Sequence, residues 1–262
     1  MRLTLREALL RGRRRPRRFG EGSPTTYRGD GYEFVELRSY VAGDDVRRVD
    51  WAATARAGEL QTRVVLEDVA LTLAAILDDS PSMRIGRNRP LVRAGEEALS
   101  AWFGAAQSGD QCRRVTQDGL FPIQAAVEGS FSLEASLRVA RTALRRGTAL
   151  LVVSDWFDLG ADDDMLADLG RWCDCTALIA RDPWFDDLPL RGFVRLRGAE
   201  GGSIRAYIGT RERTRYHRAV RAREDVLTQR FERFGWRIGT LLESNGAASL
   251  ARAFGVIPAA VS

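Results

Sequence analysis

Two uncharged, apolar stretches that each end in an acid constrain the fold more than any other feature of this sequence. The first runs from Val69 to Leu77 and is followed by Asp78, and the second, "TALLVVS", is followed by Asp155. Short continuous apolar runs of this kind are typical of strands buried on both faces of a parallel sheet. The sequence therefore predicts at least two central parallel strands, each with a carboxylate at its carboxyl end.

The rest of the chain predicts strands and helices in alternation. Helical periodicity runs over residues 89–107, around Leu133 to Leu144, over residues 161–172 and along the long stretch containing Tyr216 to Phe234. Strand-like segments lie between them: "QCRRVTQ", "CTALIA", a hairpin formed by "GFVRLR" and "SIRAYIG", and "WRIGTLL". Alternation of this kind indicates βαβ units. We expect an α/β fold with a doubly wound, mostly parallel sheet.

The N-terminal quarter differs in pattern and predicts a separate organisation. Residues 1–25 read as a basic, flexible lead-in, residues 26–66 as a β-rich extension, and residues 67–262 as the α/β domain. Six arginines lie between Arg11 and Arg18, and such a run could bind nucleic acid. We favour a solvated terminus, because no aromatic residues are interleaved for base stacking and no nucleic-acid motif follows.

The composition predicts a cytoplasmic protein. No apolar run approaches the roughly 18–20 residues that span a bilayer, and the basic N-terminus lacks the apolar core of a signal peptide. The three cysteines are odd in number, which favours reduced thiols. All 40 basic residues are arginine, a usage that suggests a bacterial genome rich in GC codons.

The first acidic strand end has the spacing D-x-S-x-S, formed by Asp78, Ser80 and Ser82. One carboxylate and two hydroxyls at alternate positions can face one point, and hard oxygen donors suit Mg²⁺ or Mn²⁺. If the two acidic strands are neighbours, Asp155 joins the same crevice. A plain alternative is that Ser80 or Ser82 only caps the next helix.

Catalysis at this crevice is the weaker interpretation. An aspartyl nucleophile would need a second acid two residues on, where Ser80 stands, and the only histidine is His217. We therefore predict a site that binds, without enzymatic activity. The alternative is a metal-dependent phosphoesterase or nuclease that uses the same acidic crevice.

The segment upstream of the first strand carries charges of alternating sign around two aromatic residues. It could form an ion-paired β-rich layer with Trp51 packed on a sheet, or a docking surface, since Trp, Tyr and Arg are favoured interface anchors. The candidate partner-binding residues are Tyr40, Asp44, Asp45, Arg47, Asp50, Trp51 and Arg56.

These motifs resemble two known protein groups. The D-x-S-x-S after a buried strand, with "VVSD" on a later one, resembles the metal-ion-dependent adhesion site of von Willebrand factor A-like domains. The stretch "ELRSYVAGDDVRRVDWAATAR" resembles the signature of the MoxR-associated family catalogued as domain of unknown function fifty-eight. This second motif is much the more specific, and the resemblance extends from about residue 20 to the C-terminus.

The resemblance implies a partner of a MoxR-type AAA+ ATPase that acts on an unknown client protein during maturation or assembly. By motif matching, Asp78, Ser80 and Ser82 would take the first metal-site positions and Asp155 the distal acid. Adhesion sites of this type also use a loop threonine, whereas "EGSFSLEA" offers Ser130 or Ser132, which do not match that threonine. This departure leaves open a weak site, a site completed by a partner's acid, or a vestigial one.

Overall fold

A computed structural model describes residues 4–14, 32–41, 46, 49–67, 70–124, 131–157, 160, 162–199 and 201–256. The chain divides into two units, one of residues 18–70 and one of residues 1–17 with 71–262. The helices are α1 (Leu5–Arg14), α2 (Trp51–Ala57), α3 (Leu91–Phe103), α4 (Leu133–Ala143), α5 (Asp163–Trp172), α6 (Thr210–Arg233) and α7 (Gly246–Ala253). The strands are β1 (Tyr32–Ser39), β2 (Gln61–Glu67), β3 (Thr72–Leu77), β4 (Gln111–Thr116), β5 (Gly119–Phe121), β6 (Ala149–Ser154), β7 (Asp174–Ala180), β8 (Gly192–Arg197), β9 (Ser203–Ile208) and β10 (Arg237–Leu241).

The smaller unit contains an antiparallel pair, β1 with β2, and the helix α2. The two strands agree with the sequence prediction, but the helix was not expected, because this region was predicted to hold only strands and turns. Asp50 begins the helix by accepting a hydrogen bond from the backbone N–H of Ala53 at 2.9 Å. Gly58 ends it in the left-handed region at φ 72°, which glycine adopts without strain. Local capping therefore explains a helix of only 7 residues.

The larger unit is built on a six-stranded sheet in the order β10-β7-β6-β3-β4-β5. All neighbours pair in parallel except the short β5, which pairs antiparallel with β4. The predicted α/β fold with a mostly parallel sheet is thus confirmed. The predicted hairpin is also present, as the separate two-stranded antiparallel sheet β8-β9.

Helices cover both faces of this sheet, as the apolar strands require. In β3, Leu73, Ala75 and Leu77 belong to one core cluster, with residues of α1, α3 and α7. Ala74 and Ile76 belong to the other cluster, with residues of α4, α5 and α6. Successive side chains of a strand point to opposite faces, so an unbroken apolar run fills two cores at once.

The basic lead-in differs from its prediction. Residues Leu5–Arg14 form helix α1, and Ala8 and Leu9 are buried in the core cluster that contains α3. Arg6 pairs with Asp110, whose carboxylate also accepts the backbone N–H of Leu71 at 2.6 Å. The flexible lead-in is therefore wrong for Leu5–Arg14, because Ala8 and Leu9 pack in an apolar core. The side chains of Arg11 to Arg14 are outside the described residues, so the solvated arginine run stays a prediction. The rest of the arginine run, from residue 15 onward, lies outside the described residues.

None of the helices in the described ranges is long and apolar enough to cross a membrane.

Candidate functional site

The two acidic strand ends lie side by side in the sheet. Strands β3 and β6 are parallel neighbours, with Leu77 opposite Val153. The backbone N–H of Asp78 donates to the carbonyl of Val153 at 2.9 Å, so the ladder continues to the first acid. From β3 the chain moves to β4 and β5 on one side and later returns to β6 on the other. The crevice between β3 and β6 is therefore the topological switch point at which open α/β sheets bind ligands.

Asp78 is the buried centre of this crevice, with 3% of its surface exposed. Its Oδ1 accepts the backbone N–H of Ser80 at 2.8 Å, and its Oδ2 accepts the hydroxyl of Ser154 at 2.6 Å. Burial raises the pKa of Asp78 above its ordinary value, and the charge of Asp155 adds to the effect, although the hydrogen bonds oppose it. The carboxylate is thus fixed by two hydrogen bonds, but these bonds compensate its negative charge only in part.

The two serines of the motif converge beside it. Ser80 is buried, and its Oγ lies 3.0 Å from the Oγ of Ser82. Two oxygens that occupy neighbouring positions around one octahedral Mg²⁺, at about 2.1 Å each, are about 3.0 Å apart. The two hydroxyls are hydrogen-bonded to each other, and their separation is also compatible with that of adjacent magnesium ligands. Neither serine begins α3, whose N-cap is Pro90, so the capping alternative is wrong.

Asp155 lies at the end of β6 in a tight turn. Its Oδ1 accepts the backbone N–H of Phe157 at 3.0 Å, and it is 6% exposed. Between them Trp156 has φ 62°, a left-handed conformation that is rare for a bulky residue. The ring of Trp156 packs against Phe231 with centroids 4.5 Å apart, which holds this conformation in place.

Two residues of the crevice were missed by the sequence analysis. Ser154 donates to Asp78 and accepts the backbone N–H of Trp156 at 2.8 Å, so it links the two strand ends. Its position directly before Asp155 was the only available signal. Arg223 of α6 donates to the backbone carbonyl of Asp155, and its Cζ lies 3.6 Å from the ring centroid of Phe157. No local pattern connects Arg223 with a turn 68 residues away.

The segment that follows the serines is anchored by a residue after the edge strand β10. The carboxylate of Glu243, after β10, accepts the backbone N–H groups of Arg87, Asn88 and Arg89 at 2.5–2.8 Å. Burial works against ionisation, but these bonds hold the pKa of Glu243 below its ordinary value. Arg89 also pairs with Glu97 of α3. The segment after Ser82 is thereby fixed to two other elements.

The donor set suits one weakly held hard cation. Among the described residues, no group of three or more His, Cys, Asp and Glu side chains is placed to share a metal ion. The crevice supplies two carboxylates and two or three hydroxyls, and Mg²⁺ uses one or two carboxylates while keeping several waters. The residues present fit such an ion. Of the two serines considered for the loop threonine, Ser132 instead caps α4 by accepting the N–H of Ala135 at 3.3 Å, and Ser130 lies outside the described residues.

The upstream candidates lie in the smaller unit. Trp51 is 66% exposed, which contradicts the alternative that it packs on the β1–β2 sheet of its own unit. Asp50 is the N-cap of α2, and Arg56 lies in its last turn. Tyr40 follows β1 and donates its backbone N–H to the carbonyl of Leu60 at 2.8 Å. Three further candidates, Asp44, Asp45 and Arg47, lie outside the described residues.

Two mycobacterial proteins similar to this chain are described as uncharacterized. The chain is 30% identical over 208 residues to uncharacterized protein Rv1480 of Mycobacterium tuberculosis and to uncharacterized protein Mb1516 of Mycobacterium bovis. Each match covers 68% of this chain, and the chain spans 64% of the length of these relatives.

Two solved structures show a distant likeness, each at 11% identity. The conserved hypothetical protein BatB from Bacteroides thetaiotaomicron has a TM-score of 0.35, covering 63% of this chain and 98% of its own. An aerotolerance-related membrane protein from Bacteroides fragilis has a TM-score of 0.41, covering 72% and 96%. At these scores the likeness does not define a shared fold.

The signature segment and the D-x-S-x-S motif both fall within one family match. Residues 36–129 match the family described as "Protein of unknown function DUF58". Over that stretch, which includes both Trp51 and Asp78, the chain is similar to a protein family whose function is unknown.

Proposed function

We propose that this chain is a non-enzymatic, von Willebrand factor A-like interaction module whose crevice between β3 and β6 binds a partner's carboxylate through Mg²⁺ or Mn²⁺. The observation that carries the proposal is the arrangement of Asp78, Ser80 and Ser82. One buried carboxylate stands beside two hydroxyl oxygens 3.0 Å apart, at the carboxyl ends of neighbouring parallel strands.

The charge of the crevice favours binding by a bridging cation. Asp78 and Asp155 both lie there beside one cation, Arg223, and the repulsion between the two acids contributes to the raised pKa of Asp78. A divalent cation would relieve this repulsion and would keep coordination positions open, because the protein offers few charged ligands. A carboxylate from another protein is the group that such an open position accepts best.

The partner class follows from the resemblance of the upstream segment. We propose a MoxR-type AAA+ ATPase in the bacterial cytoplasm and a client protein that the two act on together. The family match over residues 36–129 supports this proposal, because it includes both the signature segment and the D-x-S-x-S motif of the crevice. The exposed Trp51, beside the helix cap Asp50, supports a docking role for this segment.

Metal titration of two matched variants tests the site. Isothermal titration with MnCl₂ and MgCl₂ should show one site on the natural chain, with a dissociation constant of about 0.1–1 mM given the low ligand charge. Asp78→Asn should abolish it. The control is Asp79→Asn, which removes the same charge one residue away, where the side chain is 41% exposed and near Arg84. Uptake that survives Asp78→Asn, or no uptake at millimolar metal, refutes the metal site.

Capture of the partner tests the role. A MoxR-type ATPase from the same genome should be retained by the immobilised chain in Mg²⁺ and released by a chelator, and Asp78→Asn should not retain it. Trp51→Ala tests the second surface, because Trp51 belongs to the smaller unit and none of the crevice residues does. Turnover of a generic phosphodiester in Mn²⁺ that disappears in Asp78→Asn would instead establish the hydrolase alternative and overturn the non-enzymatic role.

A further inference from the structure

The hairpin β8-β9 exposes an aromatic and cationic face. Phe193 of β8 is 90% exposed and lies opposite Tyr207 of β9, which is 58% exposed. Their ring centroids are 5.1 Å apart in an edge-to-face arrangement. The next outward pair along the hairpin is Arg195 with Arg205. Arg197 continues the row on β8 and is also exposed.

The arginines of this face repel one another in the isolated chain. Like charges directly opposite each other in a sheet are destabilising, and Arg195 faces Arg205. Arg195 donates to the hydroxyl of Ser203 at 3.2 Å, but none of the ion pairs among the described residues involves Arg195, Arg197 or Arg205. The only acid in the sequence between residues 192 and 208 is Glu200, which lies outside the described ranges. Cations on an edge strand can discourage self-association, but that role does not require an exposed Phe193.

The turn of the hairpin determines which backbone groups face outward. Gly198 donates its N–H to the carbonyl of Gly202 at 3.3 Å, and its own carbonyl accepts the N–H of Gly201 at 3.2 Å. The first bond makes residues 198 and 202 a hydrogen-bonded pair, and the second closes the turn between them. Pairs alternate along an antiparallel ladder. The pairs that include Arg197, Arg195 and Phe193 are therefore non-hydrogen-bonded, and their backbone N–H and C=O groups point to the outer edge of β8.

Phe193, Arg195 and Arg197 thus belong both to the outer edge of β8 and to the exposed face. In the described part of the chain this sheet has two strands, so the edge has no further strand beside it. A strand added there would exchange backbone hydrogen bonds with Phe193, Arg195 and Arg197. Residues directly opposite in a ladder point to the same face, so its side chains would lie beside these three.

We propose that β8 is a docking edge for an extended, acidic segment of a partner protein, which adds as a third strand in antiparallel orientation. Its sequence pattern is acid-x-acid-x-apolar, with the two acids opposite Arg197 and Arg195 and the apolar residue opposite Phe193. Alternate residues of a strand are about 6.8 Å apart, so this pattern matches the row of side chains on β8. The interaction is a strand addition whose specificity comes from the exposed side chains.

The backbone edge distinguishes this partner from single-stranded nucleic acid. Bases could stack on Phe193 and Tyr207, and phosphates could pair with the arginines. Only a polypeptide, however, carries alternating N–H and C=O groups that match those of β8. The coincidence of edge and face in one row of residues therefore favours a peptide.

The test uses a labelled peptide, Ser-Glu-Thr-Glu-Thr-Leu-Thr, and fluorescence anisotropy at low salt. The double variant Arg195→Glu with Arg197→Glu should weaken binding by about tenfold or more, because two attractive pairs become repulsive. The matched control, Arg113→Glu with Arg145→Glu, changes two exposed arginines outside the hairpin and should bind as the natural chain does.

Backbone methylation of the peptide tests the strand addition itself. Methyl groups on the amides of the two Glu and the Leu should abolish binding, whereas methyl groups on the Thr amides should leave it intact. The proposal is overturned if both methylation patterns weaken binding equally, or if the double variant binds the peptide as tightly as the natural chain does. A thymidine oligonucleotide that displaces the peptide and binds more tightly would assign the face to nucleic acid instead. Adding a chelator should not change peptide binding, so the test of this edge is independent of the test of the metal site.

Discussion

Replacing Asp78 by asparagine should remove metal binding and at the same time stabilise the metal-free fold. Asparagine has nearly the same shape, and its amide oxygen can still accept the N–H of Ser80. Its NH₂ group can donate to Ser154, whose hydroxyl accepts as well as donates. The substitution therefore removes a charge from a site that is 3% exposed without leaving a cavity.

The direction of this stability change follows from the raised pKa of Asp78. Burial is the main cause of the raised pKa, the hydrogen bonds oppose it, and the charge of Asp155 adds to it. A group whose pKa is higher in the folded state destabilises the fold above that pKa, and the penalty disappears as the pH falls below the unfolded value. Removing a buried, incompletely compensated charge should therefore stabilise the chain. We expect Asp78→Asn to raise the free energy of unfolding at pH 7 by about 1 kcal/mol. For a domain of this size, that is about 2–4 °C in melting temperature.

The assay is urea unfolding of the natural chain and the variant between pH 4.5 and 8, with and without 10 mM MgCl₂. Without metal, the advantage of the variant should be largest at high pH and should shrink on acidification. With a dissociation constant near 1 mM, the metal should stabilise only the natural chain, by about 1.4 kcal/mol. A variant less stable than the natural chain at pH 7, or equally stabilised by metal, refutes the reasoning.

Three further predictions concern the supports of the crevice and the upstream surface. Glu243→Gln weakens the hydrogen bonds to residues 87–89 and should lower stability by about 1 kcal/mol at pH 7. Because the pKa of Glu243 is lowered by those bonds against the effect of burial, this difference should fade in thermal melts as the pH falls through the folded pKa. Trp156→Ala removes a ring packed on Phe231 and should cost about 3–5 kcal/mol in urea unfolding. Trp51→Ala, at a side chain that is 66% exposed, should change unfolding by less than about 0.5 kcal/mol, so any loss of ATPase capture would reflect binding.

A neighbouring residue serves as the control for the Trp156 prediction. Phe157 follows it in the chain but is 63% exposed, so Phe157→Ala should destabilise the fold much less. Equal losses for the two substitutions would show that the turn conformation, and not the packing of Trp156, stabilises this end of β6.

The α/β architecture could be predicted because its signals are local. An unbroken apolar run such as 69–77 must be covered on both sides, whatever its neighbours are. Helix α2 escaped prediction because its 7 residues are too few to show a periodicity. Its formation depends on the caps at Asp50 and Gly58, and both residues also suit turns. Helix α1 was not predicted because its buried residues, Ala8 and Leu9, adjoin a run of arginines that dominates the local composition.

The sequence by itself determined which chemical groups stand at the ends of the buried strands, because residue type and strand pattern are local properties. It thereby supplied Asp78, Ser80, Ser82 and Asp155 as a candidate set. Only the tertiary structure decided that β3 and β6 are neighbours, that Ser154 joins their ends, and that Arg223 holds the turn after Asp155. These facts depend on strand order and helix packing, which arise from contacts between residues about 70 positions apart in the chain.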